Sequence, residues 1–155
     1  MRLYLVRHGQ AYSEDADPDR NLTEQGRKDV EKVSAFLRKQ GGLHISVVWH
    51  SGKARAEQTA KIIASAIITD RGVSQHDGLA PNDPVAVIKQ EILQSENDLM
   101  IVGHLPFLSK LASELITGDA SAETVAFEAG GVVCLERSQD DTWMVRWVIM
   151  PELLL

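Results

Sequence analysis

The sequence predicts an α/β fold built on a mostly parallel sheet, and three observations predict it. Short apolar, β-branched runs alternate with segments of helical periodicity through most of the chain. The last part changes character: "GVVCLER" and "TWMVRWVIM" flank the turn-like "SQDD" and predict an antiparallel hairpin that supplies edge strands. No internal repeat, low-complexity tract or linker divides the 155 residues, which suit one domain, 1–155, with a real core.

The elements follow in order. Residues 2 to 6 form the first strand, and the polar loop "QAYSEDADPDRN" after it makes no regular element. "LTEQGRKDVEKVSAFLRKQGG" predicts a helix: Thr23 can cap it, Val30, Val33, Phe36 and Leu37 give the spacing, and Gly41-Gly42 stop it. "HISVVWHS" reads as one second strand, and "KARAEQTAKIIASAI" returns to helical spacing through Ala56, Ala60, Ile63 and Ile67. "VSQHDGLAPND" predicts a short strand and a loop, and residues 84 to 95 a helix with Val85, Ile88 and Ile92 on one face. "DLMIVGH" is a third buried strand, followed by a helix in "PFLSKLASELITG" that Pro106 opens and Gly118 closes. The tail "MPELLL" is expected to dock on its own domain.

Composition narrows the function classes. A net charge of −6 argues against a broad nucleic-acid footprint, which needs a basic excess, while leaving room for a small local positive pocket. The single cysteine, Cys134, forms no internal disulfide, fits a reducing compartment, and reads as a buried apolar residue. No apolar run approaches the roughly 18 residues that cross a bilayer, and "RHGQ" follows the first apolar run too soon for a signal peptide. A cytoplasmic protein that binds neither membrane nor nucleic acid is expected.

The chemistry is carried by the strand ends. "LYLV" ends in Arg7-His8-Gly9, "ISVVWH" in Ser51 and then Arg55, and "LMIV" in Gly103-His104. In open α/β sheets the ligand crevice lies beyond the carboxyl ends of the strands, so these groups can meet in space. Buried as mere structure, a guanidinium beside an imidazole is expensive. Two arginines and two histidines at one crevice instead suit a phosphoryl group. Arginines present forked donors to its oxygens, and a neutral histidine can attack phosphorus. Nearby arginines are expected to keep His8 neutral by like-charge repulsion, and Gly9 to allow a close backbone approach and a sharp fold. Each residue has a plainer reading alone: a satisfied structural histidine, a surface arginine in a first helical turn, a strand-to-helix turn. Their joint appearance after three strands favours the functional one. His44, His50 and His76 read as structural or solvent-exposed, since none has neighbours at metal-ligand spacing.

With these residues in place, the chain resembles the histidine phosphatase superfamily, and its compact length resembles the SixA-like phosphohistidine phosphatases in particular. "RHGQA" carries the Arg-His-Gly motif, "NLTEQGRKDV" looks like the Leu-Thr-x-x-Gly element, "SGKARAEQTAKII" like the Ser-x-x-x-Arg-Ala-x-Gln-Thr-Ala segment, and "IVGHLP" like the second histidine motif. The resemblance implies a three-layer α/β/α sandwich of phosphoglycerate mutase-like kind. It also implies that His8 is a transiently phosphorylated nucleophile, that Arg7 and Arg55 grip the phosphoryl oxygens, and that His104 donates a hydrogen bond or charge to them. Arg20 is implied as an extra basic contact, and Ser51 and Thr23 as scaffold. No metal and no organic cofactor is implied.

One departure stands out. Larger relatives such as the phosphoglycerate mutases carry a glutamate acid where this chain reads "GLAPNDP", with Pro81 at the glutamate position. That fits a substrate with a good leaving group, such as phosphohistidine, which needs less proton donation than an alkoxide. Asp15, Asp17, Asp19 and Asp83 are alternative donors, each more ordinary as a loop or capping carboxylate. The expected activity is therefore hydrolysis through a phosphohistidine at His8, with a phosphorylated histidine protein of a signalling relay as partner. Small phosphorylated metabolites are the alternative substrates. A phosphate-binding module without turnover is a weaker alternative, and a metal-dependent hydrolase is disfavoured by the absence of a carboxylate-histidine cluster at ligand spacing.

Overall fold

A computed structural model describes residues 1–155. Eight strands and four helices follow in the order β1 (Arg2–Arg7), α1 (Glu24–Lys39), β2 (His44–Ile45), β3 (Val47–His50), α2 (Ala54–Ala64), β4 (Ile68–Thr69), β5 (Val73–Gln75), α3 (Ala86–Gln94), β6 (Leu99–Gly103), α4 (Phe107–Thr117), β7 (Val132–Arg137) and β8 (Trp143–Ile149), with a last 3₁₀ turn at Pro151–Leu153. Six strands make the central sheet in the order β5-β3-β6-β1-β7-β8. The pairs from β5 to β1 are parallel, and β7 runs antiparallel to both β1 and β8.

The two-residue period of β1 explains the three layers. Leu3 and Leu5 join Ile88 and Ile92 of α3 and Phe107, Leu108 and Leu111 of α4 in one buried cluster. Tyr4 and Val6 face the other way, with Val30, Val33 and Leu37 of α1 and Ala56, Ala60 and Ile63 of α2. The same alternation runs through β6, where Leu99 and Ile101 belong to the first cluster and Met100 and Val102 to the second. Helices thus cover both faces, as an α/β/α sandwich requires.

Three local expectations are corrected. "HISVVWHS" is two strands: Ser46 N donates to Asp98 O, and while Val47–His50 joins the main sheet, His44–Ile45 pairs with β4 in a separate two-stranded ribbon. β4 takes Ile68–Thr69, so α2 stops at Ala64 and leaves Ile67 outside it. Pro106 opens α4 as expected, with helical backbone angles and its carbonyl accepting from Lys110 N at 3.0 Å. Only β8 of the hairpin lies at an edge, because β7 is enclosed between β1 and β8 and its Val132–Leu135 are buried. Cys134 is buried as expected, and burial lifts its thiol to about 11. The tail docks through buried Pro151 and through Leu154, which packs on the α1–α2 side, while Leu153 and Leu155 stay exposed.

Candidate active site

Three neighbouring parallel strands, β3, β6 and β1, end side by side, and each delivers a polar group past its last residue. Arg7 pairs with Gly103, and His8 N donates to Gly103 O at 3.0 Å. His50 pairs with Val102, so Ser51 emerges beside Gly103-His104 on the other flank. His104 therefore stands between His8 and Ser51. Its ring centroid is 5.0 Å from that of His8, and its Nε2 lies 2.6 Å from Ser51 Oγ.

The His8 ring is oriented by its own turn. Nδ1 lies 2.7 Å from Gly9 O and donates to it, since a carbonyl can only accept. The neutral ring then presents Nε2 as its lone pair, and no protein group is bonded to Nε2. Gly9 earns its place differently from the expectation. Its close approach is to α1: a Cβ there would lie 2.9 Å from Val30 Cγ2 and 3.0 Å from Gly26 O. Gly26 faces an even tighter constraint, with a Cβ 2.1 Å from Gln10 O.

Arg55 reaches the site from the first turn of α2. Fully buried Thr59 links it to the Arg7-His8-Gly9 turn, accepting from Gly9 N at 3.0 Å and donating to Arg55 O at 2.8 Å. Arg55 is only 9% exposed and its Nε has no partner. Arg7 donates from a terminal nitrogen to Phe127 O at 2.9 Å and also leaves its Nε unpartnered. Arg20 sits in the left-handed region at φ 51, held by a bond from its Nε to Tyr12 O. It lines both a cavity of about 400 Å³ shared with Arg7 and His8 and one of about 550 Å³ shared with Lys53 and Arg55. No carboxylate pairs with any of these three guanidiniums.

Burial, ahead of charge, makes both histidines neutral. His8 is lowered to about 4, first by desolvation and then by the Arg55, Arg7 and Arg20 charges, against a raising contribution from the Gly9 carbonyl. This corrects the expectation that the arginines lead. His104 is lowered to about 3, again first by burial, then by His8, Arg55, Lys53 and Arg20. Burial, followed by Arg20, also lowers Arg55, which stays cationic.

The other candidates fall into ordinary roles. His44 pairs with Asp70 at 2.7 Å, and His76 pairs with Glu91 and stacks on Trp49. Buried His50 accepts from Gly52 N. Thr23 caps α1 by accepting from Gly26 N, Asp17 accepts from Asn21, and Asp83 accepts from Ala80 N. No group of three or more histidine, cysteine or acidic side chains is placed to hold a metal ion. Sequence reasoning missed the Ser51–His104 bond, the Thr59 link and the Phe127 carbonyl. Ser51 alone had a readable signal, its place just past a strand end.

Residues 3–80 match the model of the histidine phosphatase superfamily (branch 1). The chain belongs to the histidine phosphatase superfamily. This superfamily member is accordingly a hydrolase of phosphatase type, and it has relatives of several kinds. An uncharacterised protein of Picosynechococcus sp. is 32% identical over 139 residues, covering 84% of this chain and 82% of that protein. The protein histidine phosphatase SixA in complex with tungstate aligns with TM-score 0.84 at 20% identity, over 99% of both chains. A SixA described as a putative phosphohistidine phosphatase, from Nakamurella multipartitia, aligns at 0.76 and 25% identity, over 97% of this chain and 95% of that one. A phosphoserine phosphatase of Entamoeba histolytica bound to 3-phosphoglyceric acid aligns at 0.73 and 15% identity, over 99% of both chains.

Proposed function

We propose that this protein hydrolyses phosphohistidine on a protein through a phosphorylated His8, working as one cytoplasmic domain in a signalling relay. The observation that carries the reading is the state of His8: its Nδ1 is spent on Gly9 O and its Nε2 is left free among guanidiniums that no carboxylate neutralises. In the first step Nε2 attacks phosphorus and the leaving group departs from the opposite side. Arg7 and Arg55 bind the equatorial oxygens, where charge-assisted forked contacts stabilise the transition state. Arg20 adds a further positive contact. Water then cleaves the phosphoenzyme and returns neutral His8.

His104 contributes a directed proton. Lys53 N donates to Ser51 Oγ at 3.4 Å, and Ser51 Oγ lies 2.6 Å from His104 Nε2, to which its hydroxyl can donate. In that arrangement the proton sits on Nδ1, which is buried and has no protein partner. A phosphoryl oxygen satisfies it. The likeness to SixA proteins supports a phosphohistidine substrate, and the likeness to a phosphoserine phosphatase makes small phosphorylated metabolites the second reading.

The test is a comparison of kcat/KM on a phosphorylated histidine phosphotransfer domain against a panel of sugar phosphates and phosphoserine. Higher efficiency on the protein supports the assignment, and preference for a metabolite overturns it. Brief exposure to labelled substrate should leave acid-labile label on the native chain and none on His8→Ala, which should also lose aryl phosphate hydrolysis. A chelator should leave the native rate untouched.

A further inference from the structure

His50 is a buried ionisable group for which the hydrolytic steps themselves have no use. It closes β3, and the alternation of that strand turns it to the same face as Val48, towards α2. An apolar residue would suit that face better, since burial penalises an imidazole and lowers its pKa below the ordinary histidine value. Its Nδ1 accepts from Gly52 N, two residues on, at 3.0 Å. A backbone N–H can only donate, so the ring proton sits on Nε2. The side chain thus closes the loop that an aspartate or asparagine closes in an Asx-turn.

The residue enclosed by that loop is Ser51, whose Oγ lies 2.6 Å from His104 Nε2 and accepts from Lys53 N at 3.4 Å. The second contact is long, so the pose of the hydroxyl depends on the backbone of the turn. Gly52 sits in the left-handed region at φ 89, where a Cβ would lie 2.5 Å from Gln75 Nε2. A glycine in such a turn is free to move unless its peptide is tied, and the bond to His50 Nδ1 ties it. The start of α2 is secured separately. Lys53 O accepts from Ala56 N and Glu57 N, and Thr59 Oγ1 donates to Arg55 O. Loosening the His50 turn therefore acts on Ser51 before it acts on Arg55.

We propose that His50 is a positioning residue for the phosphatase reaction: by holding the Gly52 N–H it keeps the Ser51 hydroxyl against His104 Nε2, and so keeps the His104 N–H directed at the phosphoryl group. This rests on the reading of His104 as a donor to that group. His50 itself makes and breaks no bond in the reaction. Its contribution is a single acceptor atom in a fixed place, and that can be taken away or handed back by substitution. Leucine fills the buried space without an acceptor. Asparagine carries Oδ1 one bond from Cγ, where histidine carries Nδ1, and closes the same turn.

The experiment is a double-mutant cycle of His50→Leu and Ser51→Ala, read by kcat and KM on p-nitrophenyl phosphate. His50→Leu should lower kcat by about fivefold or more with KM little changed, because Arg7 and Arg55 keep their hold on the phosphoryl oxygens. In the Ser51→Ala background the same change should cost less than about twofold, since the hydroxyl it positions is gone. His50→Asn should bring kcat back to within about twofold of the native chain. An equal loss in both backgrounds overturns the proposal, and so does a His50→Asn variant as slow as His50→Leu. Misfolding cannot imitate the expected result, because it lowers kcat in both backgrounds alike. If Ser51→Ala is slow and His50→Leu is as fast as the native chain, only the positioning by His50 fails. If Ser51→Ala keeps the native rate, the reading of the Ser51–His104 contact fails and the proposal falls with it.

Discussion

Ser51 Oγ lies 2.6 Å from His104 Nε2, and in the proposed mechanism this contact holds the His104 proton on Nδ1. Ser51→Ala removes the donor to Nε2 and frees the ring to hold its proton on the wrong side. We expect kcat to fall about 10- to 100-fold, less than the roughly 100- to 1000-fold cost of losing a transition-state donor outright, with a smaller change in KM. Ser51→Thr should recover most of the rate. Steady-state kinetics on an aryl phosphate check both, and an equal loss in the two variants would show that the hydroxyl is only packed there.

Activity should persist into acid. On the proposed mechanism His8 must be neutral to attack, and its pKa is lowered to about 4, so the acid limb of kcat/KM should lie near that value instead of near 6.5. The measurement is a pH profile on a substrate that does not itself titrate between pH 3 and 7. An acid limb centred near 6.5 would mean that His8 is far better solvated than its burial implies.

Stability should move the opposite way over the same range. The unfolded chain gives His8 and His104 ordinary values of about 6.5, and folding lowers them to about 4 and about 3. Between those limits the unfolded state binds more protons, so stability is highest above pH 6.5 and declines as pH falls towards 3. Thermal melts of the native chain and of His104→Gln should show a shallower decline in the variant.

Gly26→Ala should be damaging despite favouring helix by propensity. Its Cβ would lie 2.1 Å from the Gln10 carbonyl, which is backbone and cannot swing away. The cost should be about 1–3 kcal/mol of overpacking, against roughly 1 kcal/mol gained from propensity. Because the displaced segment carries His8 and Gly9, activity should fall along with the denaturation midpoint. A variant as active and stable as the native chain would show that the Gln10 turn yields freely.

What was legible in the sequence is what repeats or sits at a boundary. The alternation of Leu3, Tyr4, Leu5 and Val6 announced a strand covered on both faces, and Arg7-His8, Ser51 and His104 announced themselves by interrupting apolar runs. Ser46 gave no such warning. The split at that residue comes from a bond to Asp98 far along the chain, which local pattern cannot contain. The neutrality of His8 was readable as a direction, but its leading cause was not, since burial belongs to the assembled fold.

The docked tail has a practical consequence. Pro151 and Glu152 form part of the wall around His8, whereas Met1 precedes β1 at the end of the sheet away from the crevice. Polypeptide fused behind Leu155 starts close to that wall, on which, under the proposed function, a phosphorylated protein would approach. An affinity handle belongs in front of Met1, and a C-terminal fusion is a ready-made way to obstruct large macromolecular substrates while small ones still diffuse in.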